Sequence, residues 1–193
     1  MTEHPLIAAV IFQGMVIPLA LGLALIVGVA PWDDFHLTAE ALLIAVLATA
    51  PLVIGFRATA NARSPWFRDL DELVRPTLTA LFRDRSEGAV VLVCLLAGLG
   101  EELLFRGFLQ AWLSELTTPW IGVALAAVAF GLLHFLSITY FVIATALGLY
   151  LGVLYELTGN LLIVCLVHAL YDWFAIRYLL DNYEVSGRVG PGR

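Results

Sequence analysis

Apolar residues along the chain come in six runs of about 20, the length a helix needs to cross a bilayer. They predict spanning helices over residues 6–30, 38–56, 88–112, 119–136, 138–157 and 161–178. The break at 136–138 is the weakest, with Ser137 and Thr139 its sole polarity. Pro18 lies inside the first run and is a kink point, because proline removes a backbone donor. Residues 57–87 follow a different pattern. Phe67, Leu70, Val74, Leu78 and Leu81 recur at helical spacing among Arg68, Asp69, Asp71, Glu72 and Arg75. Ser64 and Pro65 supply an N-cap and a first-turn proline, and Pro76 is a bend point. This stretch predicts an amphipathic helix lying in the membrane interface. A soluble connecting helix is the plainer alternative.

Composition agrees with the pattern. Of 193 residues 61% are hydrophobic and 13% charged, against about 25% charged in soluble domains. The fold class expected is all-α: a polytopic membrane protein with about six transmembrane helices and one interfacial helix. Cys94 and Cys165 lie inside apolar runs and read as small buried hydrophobes, not as a disulfide or a metal pair. The first run lacks a basic leader and is followed by Pro31, so it is expected to be an uncleaved span.

Charge placement gives an orientation. The chain has no lysine, and Arg57, Arg63, Arg68, Arg75, Arg83 and Arg85 share the loop between the second and third runs. Arg177, Arg188 and Arg193 lie at the end of the last run or beyond it, while Asp33, Asp34 and Glu115 occupy the opposite loops. The positive-inside rule puts the arginine side and both termini in the cytoplasm of a cell membrane. Arg106 is the exception.

Three polar clusters interrupt the last four runs: Glu101-Glu102 with Arg106, then His134, then His168 with Asp172. A charge at a bilayer centre costs about 2.5–3.5 kcal/mol on the insertion scale. A chain that keeps several there is expected to use them. Glu102 and Arg106 stand at i, i+4, so one carboxylate of the pair can neutralise the guanidinium and leave the other as a base. An ion-paired packing device is the plain reading of that cluster alone. His134 alone reads equally well as a satisfied core histidine. His168 and Asp172, also at i, i+4, can form a carboxylate–imidazole pair, share a metal, or simply join helices. At 1.5 Å per residue the clusters lie about 16, 22 and 11 Å from the outer ends of their helices. Convergence of the three is therefore expected within the error of the boundaries. The spans at 6–56 hold little polarity beyond Gln13 and are expected to pack peripherally. The functional core is expected at 88–178, with a cytoplasmic segment at 57–87 and a tail at 179–193. Gly148 and Gly152 are read as a small-residue pair for close helix packing. No H-E-x-x-H helix and no G-x-S-x-G elbow is present. Gly98-Leu99-Gly100-Glu101 and Tyr171-Asp172 echo aspartyl intramembrane proteases, but in reversed order and with glutamate in the first motif.

In this order the clusters resemble the CAAX protease and bacteriocin-processing family, also called CPBP or Abi, of intramembrane endopeptidases. The residues that carry the resemblance are Glu101-Glu102-x-x-x-Arg106, Phe130-x-x-x-His134 and His168-x-x-x-Asp172, with Phe105-Arg106-Gly107 and Thr158-Gly159-Asn160-Leu161 beside them. The resemblance covers about residues 94–178. It implies an endopeptidase in which Glu101 activates water with help from His134. Glu102 and Arg106 would position Glu101, and His168 with residue 172 would stabilise the oxyanion. Asp172 departs from the asparagine form of the motif. An ionised aspartate cannot donate to an oxyanion, so Asp172 must be protonated, orient His168, or bind a metal. Orientation of His168 is the favoured role. The implied cofactor is zinc or none: Glu101, His134 and His168 can serve zinc with one position open to water, and the same three can work without metal.

The partners expected are a peptide or protein substrate at the membrane and the lipid bilayer, with no nucleic acid. A non-catalytic immunity or scaffold protein is the alternative from another class. A proton-coupled transporter is a further one, but it would be expected to show repeat symmetry between its halves, and none is visible.

Overall fold

Hydroxyl side chains start several helices of this computed structural model, which describes residues 4–61 and 65–187. Ser86 accepts from the Ala89 amide, Thr118 from Ile121 and Ser137 from Tyr140, each satisfying a backbone donor of a first turn. The helices are α1 (His4–Val27), α2 (Ala39–Asn61), α3 (Pro65–Phe82), α4 (Glu87–Leu116), α5 (Pro119–Leu133), α6 (Ile138–Thr158) and α7 (Leu161–Gly187). A short 3-10 turn, Pro31–Asp34, lies between α1 and α2. No strand occurs among the described residues. The protein is an all-helical, polytopic membrane protein.

Five of these helices are long and apolar enough to cross a membrane, and Pro119–Leu133 is a shorter apolar helix. Its 15 residues reach about 22 Å, short of the ~30 Å hydrocarbon core. The expected span 119–136 therefore ends early. His134 leaves the helical region as its C-cap, and Ser137 begins α6 afresh. Elsewhere the helices differ from the expected runs mainly in length. α4 extends to Leu116, and α7 continues through Gly187 rather than stopping at 178. Pro18 and Pro76 both lie inside helices, as does Pro51 in α2.

The amphipathic α3 presents Phe67, Leu70, Val74, Leu78 and Leu81 inward, while Arg68, Asp69 and Glu72 face out. Pro65 is its first residue; the expected cap Ser64 lies outside the described residues, as do Arg63, Arg188 and Arg193. Arg75 is not on the solvent side. It pairs with Asp71 and donates to the Leu179 carbonyl at 3.1 Å, tying α3 to α7.

α7 is the central post, packed against α2 and α4, while α1 packs on α4 and α5 on α6. One apolar cluster joins Leu103, Leu151, Tyr155, Leu161, Val164 and Val167. The α4–α7 contact is close because Gly98 has no side chain: a Cβ there would sit 2.6 Å from the Cys165 carbonyl. Gly159 ends α6 in the left-handed region at φ 57, which glycine adopts without steric cost. Asn160 then caps α7 at Leu162 and clamps both backbone groups of His36 in the α1–α2 connection. The outward faces of α1 and α2 are apolar, with Ile11, Phe12, Met15, Leu43 and Leu47 all exposed. That is the surface a lipid-facing helix presents. Cys94 and Cys165 are free and buried.

Candidate functional site

Glu101 and Glu102 close the regular part of α4, and the next turns widen into a π-helix, Leu103–Gln110. Wide turns of this kind recur at functional sites because they re-aim side chains within a continuous helix. Glu102 and Arg106 are fully buried and joined at 2.7 Å between Oε1 and Nη1. The second guanidinium nitrogen donates to the Gly148 carbonyl at 2.7 Å. The guanidinium carbon lies 5.1 Å from the centre of the Phe130 ring. A charge-assisted bond, a backbone carbonyl and an aromatic face together offset the desolvation of the arginine.

His168, buried on α7, brings Nδ1 within 2.7 Å of the same Glu102 oxygen. With that nitrogen donating, Nε2 is the ring atom left for other partners. It faces Glu101 Oε2 at 3.9 Å and Asp172 Oδ2 at 3.5 Å. The short carboxylate–imidazole contact is thus made by Glu102 across helices. The i, i+4 neighbour Asp172 stands at the opposite ring nitrogen, further away.

His134 enters from the end of α5. Its Nδ1 lies 2.8 Å from the Phe130 carbonyl, which can only accept, so Nδ1 carries the proton. In the neutral ring Nε2 is then an acceptor, and it lies 3.5 Å from Glu101 Oε2. The Phe130 ring stacks on His134 at 4.3 Å and meets His168 edge-on at 6.0 Å. One aromatic residue therefore packs against both histidines and the arginine.

Glu101 is the carboxylate left outside the arginine pair. Its Oε1 accepts from Gln13 Nε2 of α1 at 3.0 Å. Its Oε2 is buried, has no hydrogen-bond partner, and faces both histidines. Side-chain exposure grades across the cluster: Glu102 0%, His168 4%, Glu101 14%, His134 28% and Asp172 32%. The ion-paired floor is sealed, and the Glu101, His134 and Asp172 edge is open.

All six polar residues singled out in the sequence converge on this one cluster. The Glu102–Arg106 pair is the one expected from i, i+4 spacing, while the other connections differ. Glu102 and Arg106 brace His168, while Glu101 is held by Gln13. Gln110 went unnoticed: it is buried one i, i+4 step beyond Arg106 and donates to the Gly152 carbonyl at 3.1 Å. The polar stripe Glu102, Arg106, Gln110 was the signal that could have found it. Gly148 and Gly152, read as packing residues, also offer their carbonyls to that stripe.

Zinc ligands must converge on one point at about 2.0–2.2 Å. No group of three or more His, Cys, Asp or Glu side chains among the described residues is disposed in that way. The set Glu101, His134 and His168 does not fit a metal as it stands.

Residues 86–174 match the family model described as type II CAAX prenyl endopeptidase Rce1-like. The chain is 35% identical over 95 residues to the uncharacterized protein YpbD of Bacillus subtilis strain 168. That match covers 48% of this chain and 46% of YpbD, so it spans about half the length of the relative. No solved structure matches.

Proposed function

We propose that this chain, whose residues 86–174 match the Rce1-like family model, is an intramembrane endopeptidase. It hydrolyses a peptide bond of a membrane-associated peptide or protein with water activated by Glu101. The observation that carries this reading is the unpartnered Glu101 Oε2 beside His134 Nε2. Two facing acceptors 3.5 Å apart complement a molecule with two donors, and water is one.

Water gives a proton to Glu101 while its oxygen bonds to the scissile carbonyl carbon. The carbonyl oxygen becomes an oxyanion, stabilised by an N–H of His168 at Nε2, with Glu102 accepting from Nδ1 and Arg106 balancing Glu102. The C–N bond then breaks, and the proton held by Glu101 passes to the leaving amine. Glu102 and Arg106 orient His168 and do not touch the substrate. Asp172, on the open edge, borders the path by which a peptide reaches the histidines. The residues of this proposal are Glu101, Glu102, Arg106, His134, His168 and Asp172, within a core at 88–178. The arginine distribution supports a cell membrane location with both termini in the cytoplasm.

The test is cleavage of a panel of membrane-associated peptides by the purified protein, with and without chelator. Wild type is expected to cleave, and Glu101→Gln to lose about 10²–10⁴-fold while folding and inserting normally. Equal cleavage by wild type and variant would overturn the assignment.

A further inference from the structure

We infer that Gln13 is a positioning residue for Glu101, fixing which carboxylate oxygen faces the reacting water. The inference rests on Glu101 being the base and deepens that reading with a residue of α1, a helix outside the matched segment. A glutamate carboxylate turns easily about its last torsion, which has broad, nearly two-fold preferences. A bond to one oxygen removes that freedom. Gln13 Nε2 supplies it at 3.0 Å to Oε1, leaving Oε2 toward His134 and His168.

Glu102 and Arg106 do not take this role, because Glu102 Oε1 is occupied by Arg106 Nη1 and His168 Nδ1. The approach of α1 is built for the contact. Gly100, next to Glu101, lies against Gln13 itself: a Cβ there would be 3.1 Å from the Gln13 carbonyl and 3.2 Å from Val16 Cβ. Packing alone gives no reason for an amide here, since neighbouring Ile11, Phe12 and Met15 are apolar and face outward. The Gln13 Oε1 atom is buried and without a partner. The hydrogen bond found for this side chain is therefore the one to Glu101.

The experiment replaces Gln13 by leucine, which is one atom shorter but of similar bulk, removes the donor, and makes the span more apolar, so insertion is not at risk. Gln13→Leu is expected to lower kcat by about 10- to 100-fold, the scale of a small misplacement of a reacting group, with KM within twofold of wild type. Phe12→Ala, on the lipid face, is expected to leave both constants unchanged. A wild-type kcat in Gln13→Leu, or a change confined to KM, overturns the inference. Solution NMR of the full chain in micelles gives a readout independent of cleavage. The Gln13 side-chain amide proton is expected downfield of an ordinary glutamine and returns to the ordinary position in Glu101→Ala. An ordinary position in the wild type overturns the contact. If Glu101→Gln cleaves like wild type, the base assignment fails by itself, and the amide resonance alone decides whether Gln13 holds that carboxylate.

Discussion

Glu102 of α4 and His168 of α7 meet at 2.7 Å inside the bundle, with Arg106 bound to the same carboxylate oxygen. That three-residue unit fixes the histidine from behind. The ring nitrogen facing Glu101 is the other one. Asp172 contributes from the rim, at 3.5 Å from Nε2 and partly exposed. The division between a sealed brace and an open edge separates the consequences of substitution.

Glu102→Gln is expected to cost more activity than Asp172→Asn. The first removes a charge-assisted acceptor from the histidine and from the arginine together. The second changes a longer, partly solvated contact and is expected to keep cleavage within about tenfold of wild type. The check is kcat for both variants in one detergent preparation, with and without chelator. Asp172→Asn falling as far as Glu102→Gln would give Asp172 a larger part than its distance supports.

Arg106→Leu is expected to destabilise the fold by about 3–5 kcal/mol, because Glu102 is left as a buried carboxylate without its arginine counter-charge, held by His168 alone. Arg106→Lys restores the charge but not the geometry. An ammonium cannot match a planar fork that serves Glu102, the Gly148 carbonyl and the Phe130 ring at once. Thermal unfolding in detergent should rank wild type above Arg106→Lys and Arg106→Leu lowest.

Gly98→Ala is expected to weaken both stability and cleavage. The added methyl lies 2.6 Å from the Cys165 carbonyl and 3.0 Å from the Ala169 amide nitrogen, both backbone atoms that cannot swing aside. Overpacking of this kind costs about 1–3 kcal/mol. It also wedges open the α4–α7 seam that brings Glu102 to His168. Gly88→Ala on the same helix, where a Cβ meets nothing within 4 Å, is the matched control. Melting temperature and kcat should both fall in the first variant and hold in the second.

Single cysteines at Arg83 and Glu115 are expected to label from opposite sides of the membrane, Arg83 from the cytoplasm. Both positions are exposed, and the native Cys94 and Cys165 are buried. Impermeant maleimide applied to intact cells and to inverted vesicles reads this directly. Labelling of both from one side would exclude an orientation in which α4 crosses the bilayer.

The sequence by itself determined the helical, membrane-embedded class and the identity of the polar cluster. Apolar run length and the energy of burying charge are local properties. So is i, i+4 spacing, which already put Glu102 beside Arg106 and His168 on the same face as Asp172. Hydrophobicity does not encode where an apolar helix stops. α5 ended at Leu133 because His134 and Ser137 cap successive helices, a matter of backbone geometry inside a run that remains apolar. Tertiary structure alone decided which groups are partners. Glu102, not Asp172, makes the short bond to His168, because the bare Gly98 lets α4 and α7 approach. Gln13, a lone amide in the first span, became the partner of Glu101 because α1 docks at Gly100. Contacts between residues 66 and 88 positions apart follow from how helices pack, and no periodicity within one helix contains that information.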